Sequence, residues 1–332
     1  RGILFRGGDI LEKCARVEVA AFDKTGTLTL GKPLVTEIVP APGVTQQQLL
    51  QRAAAAEYGA KHPIAHGIVQ RAKDEGIAIP SQQPVTTVAG RGLRQNSAEG
   101  EVLVGSRSFL LEAKIEVPEL ESGLKTEVHV SLDGRWLGAL LLQDTLRPEA
   151  KTALTTLQQT QINSVLLTGD RAATAQQIGA EVGMEQVHSQ LSPEQKADWV
   201  RQRQRDGAVV MMVGDGINDA PALSLADVGC AMAGGADIAL ETSDLVLNRP
   251  DLNRLCEALL IARKTLQTIK QNLFWAFGYN MVTIPLAACG KLAPVWAAAA
   301  MAASSVLVVG NSLRLGRTIR RTFNIAKAST KD

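Results

Sequence analysis

The chain has 332 residues, 35 Lys and Arg against 33 Asp and Glu, and a formal net charge of +2. That length allows two domains with additions, and so small a positive excess gives no sign of a nucleic-acid binder. Four cysteines, Cys14, Cys230, Cys256 and Cys289, share no C-x-x-C spacing, which argues against a zinc site or disulfide framework and for buried thiols in a reducing compartment.

Residues 1–16 form a lead-in, with Gly7-Gly8 as a break and a helical turn over 9–13. The apolar run 17–22 predicts a buried strand, and Asp23 falls at its C-terminal end. That edge of an open parallel sheet is where ligands and chemistry sit, and a carboxylate there can act as a covalent nucleophile. The rest of the string Asp23-Lys24-Thr25-Gly26-Thr27-Leu28-Thr29 supplies a tight turn with donors for phosphate oxygens. Gly31, Pro33, Pro40, Pro42 and Gly43 then have the composition of a boundary. Helices are predicted over 46–58 and 65–75, strands over 85–93 and 101–105, and a hairpin over 127–132 and 135–142 about Asp133-Gly134. Residues 35–139 therefore predict an antiparallel α+β module inserted into another domain.

From Asp144 the pattern alternates helices (147–160, 171–182, and one opened by Ser192-Pro193) with strands (162–167, 208–213, 228–232, 244–247). Such alternation predicts a parallel sheet completed by the first strand, with the second part of that domain over 140–265. The end differs in kind: 271–290 and 292–313 hold no charged residue, and each approaches the roughly 20 residues of a membrane helix. Arg263, Lys264 and Lys270 precede the pair and Arg314, Arg317, Arg320 and Arg321 follow it, which predicts a two-helix hairpin with both ends cytoplasmic and a basic tail over 314–332.

Three predicted strand ends carry polar residues: Asp23-Lys24-Thr25, Thr168-Gly169-Asp170 and Asp215-Gly216-Ile217-Asn218-Asp219. Phosphoryl transfer needs a nucleophile, a metal and donors that hold the transferring group in line. Asp23 offers the first, while Asp215 and Asp219 offer hard oxygens suited to Mg²⁺. Lys196 could neutralise phosphoryl charge as a point cation, and Thr168 could donate its hydroxyl. Alone, T-G-D is a common turn and a helical Lys is usually solvated; the order and placement of all three segments carry the reading.

The set D-K-T-G-T-L-T (23–29), T-G-D (168–170) and G-D-G-I-N-D-A-P-A-L (214–223) resembles the catalytic domain of the P-type ATPases. It also fits the wider haloacid-dehalogenase-like superfamily. The resemblance implies an α/β, haloacid-dehalogenase-like Rossmannoid P-domain in two parts. An inserted antiparallel α+β nucleotide-binding domain interrupts it, and a two-helix transmembrane hairpin follows. It further implies that Asp23 is phosphorylated, that Thr25, Thr168 and Lys196 hold the phosphoryl group, and that Lys24, Thr27, Gly169 and Asp170 belong to the same motifs. Mg²⁺ would sit at Asp23, Thr25, Asp215 and Asp219 with Asn218 nearby, and Asp144 resembles the hinge aspartate. A phosphatase of the superfamily commonly carries a second acidic residue two positions after its nucleophile; Thr25 stands there, which favours a long-lived aspartyl phosphate.

In the insert, His62-Pro63 and Gly90-Arg91-Gly92 are on their own a loop and a bulge. Together they resemble the nucleotide-binding domain of the heavy-metal branch, which implies ATP bound by Glu57, His62, Gly90, Gly92 and Gly105. Lys61 stands where the family carries Glu, and Ser106 where it carries Asn, departures read as tuning of nucleotide affinity.

In the apolar end, Asn280 is either a functional residue or helix–helix glue. Met301 with Ser304 and Ser305 is either a soft-ion ligand set or core filling beside a Ser-mediated contact. Tyr279-Asn280 and M-x-x-S-S resemble the Cu(I)-transporting subgroup, and the Lys and Asp of a zinc-type transporter are absent from these spans. The resemblance implies a multi-pass membrane protein with cytoplasmic catalytic domains. Its cargo would be Cu(I) or Ag(I), received from a copper chaperone. Its partners would be membrane lipid and the rest of its own chain, namely an actuator domain and six earlier helices. Neither those segments nor a C-P-C motif occurs in these residues, so the chain is expected to be partial, binding nucleotide without pumping. The rivals are a superfamily phosphatase using the same Asp23, a pump for another heavy metal and a non-catalytic ATP-binding fragment.

Overall fold

The computed structural model describes residues 2–60, 62–80, 84–88, 91–97, 99–120, 123, 125–216, 219–233 and 241–329, with side chains described to residue 316. The chain divides into two compact units. One comprises Arg1–Asp23, Glu149–Asp170 and Ile178–Asp332; the other comprises Lys24–Pro148 and Arg171–Gln177.

The chain opens with β1 (Ile3–Phe5), α1 (Gly8–Arg16) and β2 (Val19–Phe22). The second unit then supplies β3 (Thr29–Pro40), α2 (Gln46–Glu57), α3 (Pro63–Asp74), β4 (Val85–Val88), β5 (Gly92–Ser97), β6 (Gly100–Gly105), α4 (Arg107–Glu112), β7 (Thr126–Leu132) and β8 (Arg135–Leu146). Its strands form a six-stranded antiparallel sheet in the order β3-β8-β7-β6-β5-β4. Local chemistry sets these elements. Thr45 and Gln48 close a capping box at the start of α2, with bonds of 2.9 and 3.1 Å. Asp133 and Gly134 both take positive φ, 45° and 77°, the turn that matches the twist of a two-residue hairpin.

One face of this sheet packs Val102, Val104, Val128, Val130, Leu140 and Leu142 against Leu49, Leu50, Ala53, Ile68 and Ala72 of α2 and α3. The alternate positions follow from the pleat. The other face carries Leu103 under Phe109 and Leu110, with Trp136 alongside. The boundaries expected at 35 and 139 fall inside β3 and β8, which pair from Thr29↔Leu146 to Pro40↔Gly138. Gly31, Pro33 and Pro40 had the look of a linker, yet an edge strand tolerates Pro because one row of its N–H groups bonds nothing. The register shifts at Thr29/Pro33 and Val35/Glu37 absorb the irregularity.

The first unit resumes with α5 (Ala150–Gln159), β9 (Asn163–Leu167), α6 (Ala172–Val182), β10 (Gln186–His188), α7 (Pro193–Arg205), β11 (Val210–Gly214), α8 (Ala220–Leu225), β12 (Val228–Met232), β13 (Leu245–Leu247), α9 (Leu252–Ala288) and α10 (Pro294–Ser329). Its seven-stranded sheet has the order β1-β13-β12-β11-β2-β9-β10 and is parallel except for β1. Every residue of β11, β12 and β13 is buried, as apolar runs without alternation require when both sheet faces are covered. β1 and β10, three residues each, are too short to leave a periodic signal.

α9 is one helix of 37 residues. Leu252, Leu255, Ala258, Leu259 and Ala262 are buried at helical spacing, and Arg263 donates to the carbonyls of Thr160 at 2.6 Å and Val17 at 3.2 Å. Beyond them Leu273, Phe274, Trp275, Phe277, Met281 and Ile284 stand exposed. Of the two expected spans, one stretch among the described residues, Pro294–Gly316, is long and apolar enough to cross a membrane. The other, 271–290, is uncharged yet diluted by Gln271, Asn272, Tyr279, Asn280 and Thr283; lack of charge is not the same as apolarity.

Candidate active site

Parallel pairing sets Phe22 of β2 beside Val213 of β11 and Leu166 of β9. Asp23, Asp215 and Thr168 therefore leave three adjacent strands at one sheet edge. The Asp23 N–H donates to the Val213 carbonyl at 3.0 Å, which keeps the strand pairing intact to the carboxylate itself. Carboxylate oxygens of Asp23, Asp215 and Asp219 lie within 4.8 Å of one another. Lys196 Nζ donates to Asp23 Oδ1. The cluster is buried: Asp23 is 5 % exposed, Asp215 9 %, Asp219 0 % and Lys196 3 %.

Local sequence explains each placement. Ser192 caps α7 in a capping box with Gln195, and Pro193 takes the first helical position, which fixes Lys196 in the first turn. Gly214 carries no side chain because a Cβ there would fall 1.4 Å from Asp219 Oδ2. Thr168 is buried, its N–H donating to His188 O and its carbonyl accepting from Leu191 N, both at 3.0 Å. Its Oγ1 accepts from the Asp170 N–H at 3.1 Å, so Thr168-Gly169-Asp170 forms a closed turn. Asn218 lies outside the described residues.

Three carboxylates gathered this closely raise the cost of ionising one another. Asp219 shows this directly. Burial, then the charges of Asp23 and Asp215, push its carboxyl up to about 7, while Lys196 and the Gly216 N–H pull it down. Oδ1 accepts from Gly216 N at 2.9 Å, but Oδ2 is buried without a partner among the described residues. An all-oxygen donor set with an orphaned buried oxygen fits a hard divalent cation such as Mg²⁺.

In the second unit, Lys24 is half-buried, Thr25 exposed, and Thr27 buried with its hydroxyl unpartnered among the described residues. The Thr29 hydroxyl accepts from Gly26 N at 3.3 Å and donates to Asp144 Oδ2. Asp144 Oδ1 accepts from Lys32 N at 3.1 Å. Arg147, which the motif reading passed over, donates to the carbonyls of Thr27 and Gly26. An Arg ahead of Pro148 and a helix gives no local sign of that contact.

Glu57 is buried at the end of α2, and burial pushes its carboxyl up to about 7. Its Oε2 lies 3.0 Å from His62 Nε2. His62 is the N-cap of α3, its Nδ1 accepting from Ala65 N at 3.2 Å, which leaves the ring proton on Nε2. Burial, then His66, lowers the His62 pKa. Gly92 and Gly105 face each other across β5 and β6. A Cβ on Gly105 would meet Arg91 O at 2.4 Å and Phe109 Cδ1 at 2.9 Å, so close packing already demands glycine there. Ser106 caps α4, and Gly90 lies outside the described residues.

In α9 and α10 two of the expected ligands, Asn280 and Ser305, bond within their own helices. Asn280 Nδ2 donates to Ala276 O at 2.9 Å, Thr283 Oγ1 to Tyr279 O at 3.0 Å, and Ser305 Oγ to Met301 O at 3.1 Å. Tyr279, Asn280 and Ser304 are half-buried, Met301 and Ser305 exposed. The polar glue between the helices lies elsewhere. Asn311 Nδ2 donates to Asn272 Oδ1 at 2.9 Å and Gln271 Oε1 at 3.2 Å, and Asn272 donates to Ser312 at 3.0 Å.

Residues 17–227 match the haloacid dehalogenase-like hydrolase family. A copper-exporting P-type ATPase of Bacillus subtilis (strain 168) is 43 % identical over 321 residues, 95 % of this chain and 40 % of that protein. The chain thus spans about two fifths of that relative's length. Among solved structures, a zinc-transporting PIB-type ATPase in the E2.Pi state shares 39 % identity with a TM-score of 0.78, covering 95 % of this chain and 52 % of that one. The catalytic domain of the CPx-ATPase CopB-B, described in connection with nucleotide binding, shares 29 % identity with a TM-score of 0.65, covering 78 % and 95 %. With the three polar strand ends on one sheet edge, the chain belongs to the haloacid dehalogenase-like hydrolase family, as a relative of its heavy-metal P-type ATPases.

Proposed function

We propose that the chain is the catalytic portion of an ATP-driven Cu(I) or Ag(I) exporter that passes through an aspartyl phosphate. The observation that carries the reading is the buried cluster of Asp23, Asp215, Asp219 and Lys196 at one sheet edge. Asp23 attacks the γ-phosphorus of ATP; an O–P bond forms as the bond to the bridging oxygen breaks, and ADP leaves. Lys196 donates to Asp23 and then faces the transferred phosphoryl oxygens, while Thr25 and Thr168 donate hydroxyls to them. Asp215 and Asp219 hold Mg²⁺, which when bound neutralises phosphate charge. Glu57, His62, Gly92 and Gly105 bind the nucleotide.

α9 and α10 form a membrane hairpin whose Tyr279, Asn280, Met301, Ser304 and Ser305 face a soft ion. The thioether and the lack of Lys or Asp in these spans favour Cu(I) over the zinc of the structural neighbour. An actuator domain, the earlier helices, lipid and a copper chaperone are the partners of the whole protein. The test is acid-stable label from ³²P-ATP in the full-length protein, dependent on Cu(I) or Ag(I) and lost in Asp23→Asn. Label that follows Zn²⁺ would overturn the cargo. Turnover of simple phosphate esters without ATP would favour a phosphatase.

A further inference from the structure

Arg147 stands where the chain leaves β8 for α5, and it is 7 % exposed. A guanidinium is rarely buried without a fixed set of acceptors. Here Nε donates to the Thr27 carbonyl at 2.8 Å and Nη2 to the Gly26 carbonyl at 2.9 Å. The backbone N–H of the same residue donates to the Leu28 carbonyl at 2.8 Å. One residue thus holds three successive carbonyls of the turn that follows Asp23. Thr25 (φ −73°, ψ 130°) and Gly26 (φ 71°, ψ −10°) depart from helical dihedrals inside the turn, so no regular helix sets the direction of these carbonyls.

Fixing those carbonyls fixes more than acceptors. In a trans peptide the C=O and the next N–H point in opposite directions. Holding the Gly26 and Thr27 carbonyls toward the guanidinium therefore fixes the orientation of two successive peptide planes of the turn. From the other flank, the Thr29 hydroxyl ties Gly26 N to Asp144.

We propose that Arg147 is a positioning residue for phosphoryl transfer. It touches neither nucleotide nor phosphate, and it sets the course of the turn after Asp23 by forking across two of its carbonyls. The inference rests on the reading of Asp23 as the phosphorylated residue. The planar fork is the essential feature; a Lys ammonium at the same place is a point charge on a different stem.

The test compares Arg147→Lys and Arg147→Gln with wild type in the full-length protein. It reads the rate of acid-stable label at saturating ATP, the ATP dissociation constant and the thermal unfolding midpoint. Label formation is expected to fall about 10- to 100-fold in both variants, the size of effect that small misplacements of reacting groups produce. ATP affinity should stay within about threefold of wild type, since no nucleotide contact is removed. Added guanidinium should recover part of the rate in Arg147→Gly and none in Arg147→Lys. Wild-type labelling rates in folded Arg147 variants would overturn the proposal while leaving Asp23 as the nucleophile. Parallel loss of ATP binding, cooperative unfolding and label would make Arg147 a residue that only holds the fold, and would overturn it too. Absence of any Asp23-dependent label in wild type would remove the phosphorylation reading itself, and the proposal with it.

Discussion

Asp219→Asn should stabilise the metal-free protein near neutral pH and blunt its response to Mg²⁺. Asp219 is fully buried, and its carboxyl is pushed up from 3.8 to about 7. Between about pH 3.8 and about pH 7 the folded state therefore keeps a proton that the unfolded chain has released. The stability this proton contributes is complete below the lower value and is lost as pH rises through the upper one. About three pH units at 1.36 kcal/mol each set a ceiling of about 4 kcal/mol on the cost of the ionised carboxylate. A neutral amide of the same shape escapes that cost. Mg²⁺ stabilises the wild type by mass action, by about 2.7 kcal/mol at a hundredfold excess over its dissociation constant. That gain should be larger at about pH 8 than at about pH 5.5, because a carboxyl must lose its proton to ligate. The assay is thermal unfolding at both pH values, with and without Mg²⁺, for wild type and variant. Equal Mg²⁺ shifts in all four comparisons would refute the assignment of Asp219 to the cation site. A wild type whose metal-free stability is flat between the two pH values would refute the buried-carboxyl cost.

Glu57→Gln should raise the stability of the second unit at about pH 8 by up to about 3 kcal/mol, since Glu57 rises from 4.5 to about 7 by burial alone and its stabilising proton is lost over that window. Unfolding of the isolated nucleotide-binding segment at two pH values checks it, and an unchanged profile would count against it. Lys196→Met removes the ammonium that donates to Asp23, and label formation should fall by at least about 100-fold; rapid-quench labelling near the wild-type rate would exclude Lys196 from the transfer step. Asn311→Leu removes two contacts between α9 and α10. It should cost about 1 kcal/mol, read as a lower unfolding midpoint in detergent with Asp23 labelling unchanged.

Much of the site was legible because its information is local. A carboxylate directly after an apolar run, a Gly-flanked turn with two acidic residues, and Ser-Pro at a helix start are each read within a few residues. Their physical meaning needs no distant partner. The antiparallel insert was legible in the same way, through the Asp133-Gly134 turn and the helical spacing of α2. Its edges were not: β3 carries Pro33 and Pro40, and only its place at the sheet edge makes them acceptable. The hairpin at the end was legible as uncharged, but one of its two segments owes that to amides rather than to apolar side chains.

The sequence by itself determined which groups are available: a strand-end carboxylate, a Gly-flanked turn with two more, a lysine at a capped helix start and an antiparallel insert. Tertiary structure decided which of these act together. Strand order sets β2 between β11 and β9, so Asp23 meets Lys196, Asp215 and Asp219 across nearly two hundred residues of chain. Only that meeting raises the Asp219 pKa, because burial and like charge are properties of neighbours in space. The same holds for Arg147, whose partners lie 120 and 121 positions earlier. Backbone carbonyls leave no mark in a sequence, so contacts made to them emerge only once the chain has closed.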